Sequence, residues 1–463
     1  MFIEQGTYDS PTSKVISLDN ILKIFKKLDA TDIYIKKLAP NDNSKNQPYF
    51  GSHLTDLPFI PTTEIVGSNS KSQKDIKRKI KYQASLNFNW LDANGDIYNA
   101  PNAKLIYYPQ YPEVRFSGFL SGSKVNISEW MAPEKQGRCE GRWLIIGISE
   151  DKNIFGYIAT PESNLSKELA ISNFIEITNI FWKPAYQSGH QPANTREALI
   201  QKLGEIHDMG WIPSQKLAKN MVVSPYNALN GGGYTLEAIL GIPANGIAEP
   251  DYLGWEVKQF GVKKWPVSGA RPTTLFTPEP DGGYYRIEGA KEFVKAYGYT
   301  DKNGKADRMN FGGKHVVDIP HSTTSLTLQL QGFDQKKSKI IDAAGAIALV
   351  DRTGKITASW SFAKLMDHWK RKHAKAVFIP AMKQKTKDGY EYRYGKDIEL
   401  GIGTDFEKFL AAMTTGNIYY DPGIKLENIS SEKPKVKARS QFRTNHKHLS
   451  SLYNKFEFID LKN

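Results

Sequence analysis

The chain has 463 residues, 40% of them apolar and 12% aromatic, which is enough to bury the cores of two or three domains and excludes wholesale disorder. Its 62 lysines and arginines against 49 aspartates and glutamates give a formal charge of +13, and this balance favours a polyanionic partner because each neutralised phosphate releases a condensed counterion. The single cysteine, Cys139, excludes an internal disulfide and a cysteine-based zinc site; a lone thiol suits a reducing cytoplasm, and neither a secretory leader nor an apolar membrane-spanning run is found.

Residues 15–28 place Val15, Ile16, Leu18, Ile21, Leu22, Ile24, Phe25 and Leu28 at roughly helical spacing, with Asp19 as the N-cap of a helix over 20–28. From there to residue 160 strand patterns dominate. They are short β-branched and aromatic runs at 32–38, 104–108, 113–117, 142–148 and 154–158, bounded by Pro, Asn, Asp and Gly. That spacing predicts a sandwich or barrel. The lysine-rich run 71–81 reads as a solvated surface, with phosphate contact as its alternative. Residues 183–194 have linker composition and mark a boundary region, 171–194, between a domain over 1–170 and a second over 195–463. The second domain opens on a helix that Asn194 caps, Glu197 completes as a capping box and Gly210 ends. Helical patterns at 234–240 and 404–413 then alternate with strand patterns at 255–260, 326–330 and 376–379, which predicts a mixed α/β domain.

The segment Pro250-Asp251-Tyr-Leu-Gly-Trp-Glu256-Val-Lys258 carries the chemistry. As a strand it places Glu256 and Lys258 on one face and Trp255 and Val257 on the other. Leu253-Gly254 supplies a turn that lets Asp251 bend back towards Glu256. Two carboxylates and one ammonium then converge, as metal-assisted phosphodiester hydrolysis requires. Carboxylate oxygens bind a hard cation, the cation lowers the pKa of a water, and the lysine orients that water or neutralises the scissile phosphate. Glu237, on the preceding helix, approaches the same place from the helix edge. The pattern alone also describes a surface strand carrying Glu and Lys for solubility, and by itself it favours that plainer reading. The run Asn230-Gly231-Gly232-Gly233 reads equally as a turn or as a place where helix N-terminal amides approach a phosphate; no P-loop lysine follows it.

Near the C-terminus, residues 433–448 concentrate basic and amide side chains, among them Arg439, Gln441 and Arg443. Arginine pairs with guanine and glutamine with adenine in the major groove, whereas a basic tail contacts phosphates only; the composition allows both. His446 and His448 read as solvated phosphate contacts, with a metal role as the alternative, and His315 and His321 lack carboxylate spacing that compels a metal site.

The order and spacing of these segments resemble the MvaI/BcnI family of restriction endonucleases, within the PD-(D/E)xK superfamily. The resemblance spans residues 196–463. It is carried by Leu199-Ile-Gln-Lys-Leu203 with Gly210-Trp211, Asn230-Gly-Gly-Gly-Tyr-Thr-Leu-Glu237-Ala-Ile-Leu240, Pro250 to Lys258, and Thr273-Thr-Leu-Phe-Thr277. It implies Asp251, Glu256 and Lys258 as catalytic residues with Glu237 in support, a Mg2+ ion held by Asp251, Glu256 and Val257, and a monomer that nicks one strand at a time. Residues 18–165 resemble the EcoRII-N-type effector domain, a DNA-binding pseudobarrel. Tyr34-Ile-Lys36-Lys-Leu38, Asn41-Asp42, Gln47, Ile106-Tyr-Tyr108 and Trp143-Leu-Ile-Ile146 carry that resemblance. It implies two arms that clasp the major groove, one over 41–47 and one over 110–115. The expected DNA-contacting residues are Lys36, Asn41, Asn43, Ser44, Lys45, Gln47, Gln110, Arg115, Arg439, Gln441 and Arg443. The expected fold is thus an N-terminal pseudobarrel followed by a PD-(D/E)xK restriction-endonuclease-like α/β domain. The expected function is a type II restriction endonuclease acting on double-stranded DNA at CC(A/T)GG or a close variant, with no membrane attachment. Its nearest rival is a modification-dependent nuclease whose N-terminal domain senses altered DNA. Retention of Asp251, Glu256 and Lys258 argues against a binding module that no longer cuts, and nothing resembles an RNA-recognition signature.

Overall fold

A computed structural model describes residues 11–40, 47–72, 75–124, 128–131, 139–184, 194–243, 250–302 and 304–462. The chain forms two compact units, Met1–Ala193 and Asn194–Asn463. No helix among the described residues is long and apolar enough to cross a membrane.

The first unit is built on two sheets. One has seven strands in the order Phe174–Thr178, Phe181–Pro184, Ala30–Lys37, Trp143–Ser149, Ile154–Ala159, Phe88–Leu91, Ile97–Asn99. The other has five, in the order Tyr49–Gly51, Glu113–Ser117, Lys104–Tyr108, Asp75–Ser85, Val66–Ser72. Within the run 71–81, residues 71–72 and 75–81 therefore lie on paired strands. Trp143–Ser149 and Ile154–Ala159 are buried throughout, as befits central strands covered on both faces. Rings from the two sheets meet between them: Phe50 lies 5.1 Å from Phe181 edge-on, and Phe116 packs 5.1 Å from Phe88. Such aromatic contacts bury large apolar area and add directional preference.

The first unit departs from the sequence pattern at its first helix and at its C-terminal boundary. The first helix runs over Leu18–Lys27, and Ser17, not Asp19, caps it. Ser17 has extended backbone and accepts from the Asn20 N–H, while Asn20 reaches back to the Ser17 N–H; Asp19 sits inside the first turn and pairs with Lys23 at 2.6 Å. The expected boundary region over 171–194 is also too long. Residues 174–184 form an antiparallel hairpin whose second strand joins Ala30–Lys37, with Ile35 opposite Trp182. Its β-branched and aromatic residues gain more from sheet edge pairing than a linker would allow.

In the second unit Asn194 caps the helix Thr195–Asp208 by accepting from the Arg196 and Glu197 N–H groups. Leu199, Leu203 and Ile206 recur along one face and join a core with Leu236, Trp255, Val257, Val377, Ile379, Ile398 and Leu400. The main sheet centres on the long strand Lys375–Thr386. Glu256–Gly261 pairs with it in parallel, whereas Gly389–Tyr394 and Asp397–Ile402 pair antiparallel. Ala381 has Gly261 on one side and Tyr394 on the other. Parallel neighbours need a long crossover, and the intervening chain ends it with the helix Phe362–His373, which delivers its last turn beside the start of Glu256–Gly261.

Candidate active site

Asp251 precedes a tight turn in which Leu253 and Gly254 both take positive φ (50° and 80°) and Tyr252 and Trp255 bond each other's backbone. The turn folds Asp251 back on the strand: its Oδ2 accepts from the Val257 N–H at 2.9 Å. Trp255 and Val257 then face the core while Glu256 and Lys258 share the opposite face. Glu256 is 1% exposed, and the Lys258 ammonium bonds its Oε1.

A second ammonium completes the cluster. Lys372, in the last turn of Phe362–His373, lies 3.0 Å from Glu256 Oε2 and 3.4 Å from Asp251 Oδ1. It does not appear among the residues expected from the sequence. Its only signal there is the run Lys370-Arg371-Lys372-His373 at a helix end, where basic residues ordinarily complement the helix dipole. His373 locks that turn. Its Nε2 donates to the Leu275 carbonyl at 3.0 Å and its Nδ1 accepts from the Tyr453 hydroxyl at 2.9 Å. This assignment requires a neutral ring, and burial, reinforced by Lys258, holds His373 well below the usual histidine range.

The charges interact strongly. Burial, then Asp251, pushes Glu237 up to about 7, against the pull of Lys258 and Lys372. Burial also raises Glu256, opposed by Lys258 and Lys372. Burial alone would lower Lys372, but Glu256 and Asp251 more than reverse it and hold its proton on. Burial, with the nearby lysines Lys372 and Lys258, takes His368 down to about 4, so it adds no charge near neutrality. Desolvated carboxylates with compensating cations are the arrangement in which functional groups shift most.

Glu237 lies on the helix Gly231–Ile239, which starts three residues earlier than the sequence pattern suggests. The glycines there serve packing. A Cβ on Gly231 would stand 2.3 Å from Ser214 Oγ, and one on Gly232 2.8 Å from Gln259 Oε1; Gly233 faces open space.

The expected DNA-contacting residues divide into three groups. Asn41, Asn43, Ser44 and Lys45 lie outside the described residues. Several others are engaged within the protein. Lys36 is 6% exposed with its ammonium 5.6 Å from the Phe181 ring, and burial lowers it to about 8. It lines a cavity of about 330 Å³ with Tyr49, Arg115 and Trp182. Gln47 bonds Ser117 Oγ, and Arg115 forks onto Glu113 while reaching the Gln47 carbonyl. The Gln110 amide, oriented to satisfy both groups, donates to the Ile80 carbonyl and accepts from its N–H. Arg443 pairs with Asp421 at 2.7 Å and with the Pro272 carbonyl at 2.8 Å, and Gln441 meets Thr274 Oγ1 at 3.4 Å. Arg439 is exposed, with no ion pair among the described residues to hold it inward, and its charge acts on Tyr234 of the Glu237 helix. His446 is not the solvated phosphate contact expected. It stacks on Phe260 at 4.1 Å and lies 2.9 Å from Glu399, because the adjoining strand Phe442–Thr444 draws it onto the sheet.

A family profile described as the MvaI/BcnI restriction endonuclease family matches residues 200–453. Among solved structures, the chain is similar to restriction endonuclease MvaI in complex with cognate DNA substrate, at 17% identity and a TM-score of 0.42, over 57% of this chain and 97% of that one. It is also similar to MvaI without DNA, at 15% identity and a TM-score of 0.32, over 58% and 100%. No curated protein matches the chain.

Proposed function

The chain belongs to the MvaI/BcnI restriction endonuclease family, and we propose that it is a type II enzyme hydrolysing phosphodiesters of double-stranded DNA at a short specific site with Mg2+. The observation that carries this reading is the gathering of Asp251, Glu256 and Lys258 at the start of one strand, Asp251 bonded to the Val257 N–H and Lys258 to Glu256, with their charges felt by Glu237.

The donor set suits a hard cation. Glu256 Oε2 is buried and makes no hydrogen bond, although it is in ion-pair contact with Lys372. Asp251 Oδ1 is not used by the Val257 N–H, which takes Oδ2, and meets the Lys372 ammonium at 3.4 Å. Carboxylate oxygens are the ligands Mg2+ prefers. In this reading Asp251, Glu256 and the main-chain oxygen of Val257 hold the ion. When bound, it supplies positive charge at the scissile phosphate and lowers the pKa of the attacking water. Lys258 presents an ammonium to that water and to the phosphate, held in place by Glu256. Glu237 keeps a carboxyl proton until the pH reaches about 7 and above that adds a third carboxylate beside Asp251. In the same reading the first unit is a DNA-binding pseudobarrel, the chain acts as a cytoplasmic monomer, and Arg439 is the foremost base-reading candidate of the second unit.

Digestion of unmodified DNA with the purified chain and Mg2+, followed by sequencing of the ends, tests this. Ends sharing a motif support it, with CC(A/T)GG as the working target. Ends without a common motif, or no cleavage of any DNA, sink it. Cleavage confined to methylated or otherwise altered DNA moves the chain to the modification-dependent class.

A further inference from the structure

Each oxygen of Asp251 and Glu256 has a defined neighbour. Asp251 Oδ2 is committed to the Val257 N–H, and Glu256 Oε1 to Lys258. Of these four oxygens, Asp251 Oδ1 and Glu256 Oε2 remain to bind a cation together. The Lys372 ammonium faces both, at 3.4 and 3.0 Å. Its helix end is fixed by His373 against Leu275 and Tyr453, so the ammonium is delivered there by the fold and not by a freely roaming side chain. Its side chain is only 15% exposed.

We propose that Lys372 is a built-in occupant of the cation seat: its ammonium holds the two carboxylates together before the divalent ion arrives and must give up Asp251 Oδ1 and Glu256 Oε2 for the ion to bind. This rests on the metal-dependent reading above and names a residue that regulates its site. The physical reason is the cost of buried like charges. Without Lys372, and with the Lys258 ammonium committed to Glu256 Oε1, Asp251 and Glu256 would repel in a poorly solvated wedge, and breaking such a buried pairing is strongly destabilising. A divalent ion supplies the same compensation with twice the charge, so the two cations exclude each other. Lys372 thereby trades metal affinity for a preassembled site. It is a positioning residue: it acts on the carboxylates, whereas Lys258 remains the ammonium that faces substrate.

The test is direct metal binding to the full chain by calorimetry, with Mn2+ and Ca2+ as probes and no DNA present. Lys372→Met should bind either ion at least about tenfold more tightly than wild type. Arg371→Met removes a charge one residue away but one that pairs with Asp367, and it should stay within about twofold. Equal or weaker binding by folded Lys372→Met overturns the inference. So does an equal gain in Arg371→Met, which would make the effect one of general charge. A measurement on the wild-type chain needs no variant. The rate of reductive methylation at Lys372, followed by mass spectrometry, should rise several-fold on adding Ca2+, while a lysine paired outside the site, such as Lys295 with Glu292, is unaffected. An unchanged or slower rate also overturns the inference. Absence of binding in both wild type and Lys372→Met overturns the metal-dependent reading itself, whereas normal wild-type binding with no change in the variant overturns only the role of Lys372.

Discussion

The Val257 N–H donates to Asp251 Oδ2 at 2.9 Å. The strand that carries Glu256 and Lys258 thus also aims the carboxylate six residues upstream, and Asp251 has both a structural and a chemical task.

The two tasks separate in mutants. Asp251→Asn keeps an acceptor for Val257, whereas Asp251→Ala leaves that N–H unsatisfied. Both should lower DNA cleavage by on the order of 10³ or more, the scale of losing a group that stabilises transition-state charge, and both should retain DNA binding. Only Asp251→Ala should also lose about 1–2 kcal/mol of folding stability relative to Asp251→Asn. Plasmid cleavage, gel-shift binding and urea unfolding measure the three quantities. A cleaving Asp251→Ala would refute the site assignment.

Glu237 makes the metal-free protein pH-sensitive. Its value in the fold, about 7, lies above the ordinary 4.5. Between those values the folded chain retains a proton that the unfolded chain has released. Stability therefore falls as pH rises through this window and levels off above it. Glu237→Gln lacks this loss. Its stability relative to wild type should improve by about 2–3 kcal/mol between about pH 5 and about pH 8. Parallel pH profiles of urea unfolding for the two proteins would show that Glu237 is not the group responsible.

The glycine run before Glu237 should respond residue by residue. An added Cβ at Gly232 meets Gln259 Oε1 at 2.8 Å and the Tyr392 ring at 3.0 Å, while at Gly233 it meets nothing. Gly232→Ala is expected to cost about 1–3 kcal/mol through overpacking. Gly233→Ala should instead gain up to about 1 kcal/mol from helix propensity. Thermal unfolding distinguishes them; shifts of the same sign would contradict the packing described.

Arg443 and Arg439 are expected to part in the same way. Arg443 is held by Asp421 and the Pro272 carbonyl, so Arg443→Ala should lose about 1–3 kcal/mol because it strands a half-buried carboxylate. Arg439 is exposed, and Arg439→Ala should leave stability within about 0.5 kcal/mol while weakening DNA binding. Binding across a range of salt concentrations tells its role: an unchanged preference with a shallower slope means phosphate contact, and a relaxed preference means base contact. Full DNA affinity in Arg439→Ala would remove it from the interface.

Local chemistry was readable without the fold. Alternation along 255–258 places Trp255 and Val257 in the core and Glu256 and Lys258 together because period two is a property of the extended backbone itself. Asn194 is readable as a cap because capping is settled within three residues. Even so, Ser17 displaces Asp19 as the first cap, since two capable residues stood two positions apart and only the chain's path into the helix chose between them. The family, too, is legible from the order of the motifs.

What depends on distant chain was not readable. Lys372 stands 121 residues from Asp251, and no periodicity links them; parallel pairing of Glu256–Gly261 with Lys375–Thr386 is what brings the helix end to the carboxylates. Arg443 and His446 look like free basic side chains in sequence, yet Asp421, just after the strand Ile418–Tyr420, and Glu399, on the strand Asp397–Ile402, claim them. Sequence alone thus determined which groups the segment 251–258 offers and on which face, because backbone geometry acts locally. Only the tertiary structure decided which charges are paired and buried, because that depends on neighbours the chain brings from far away.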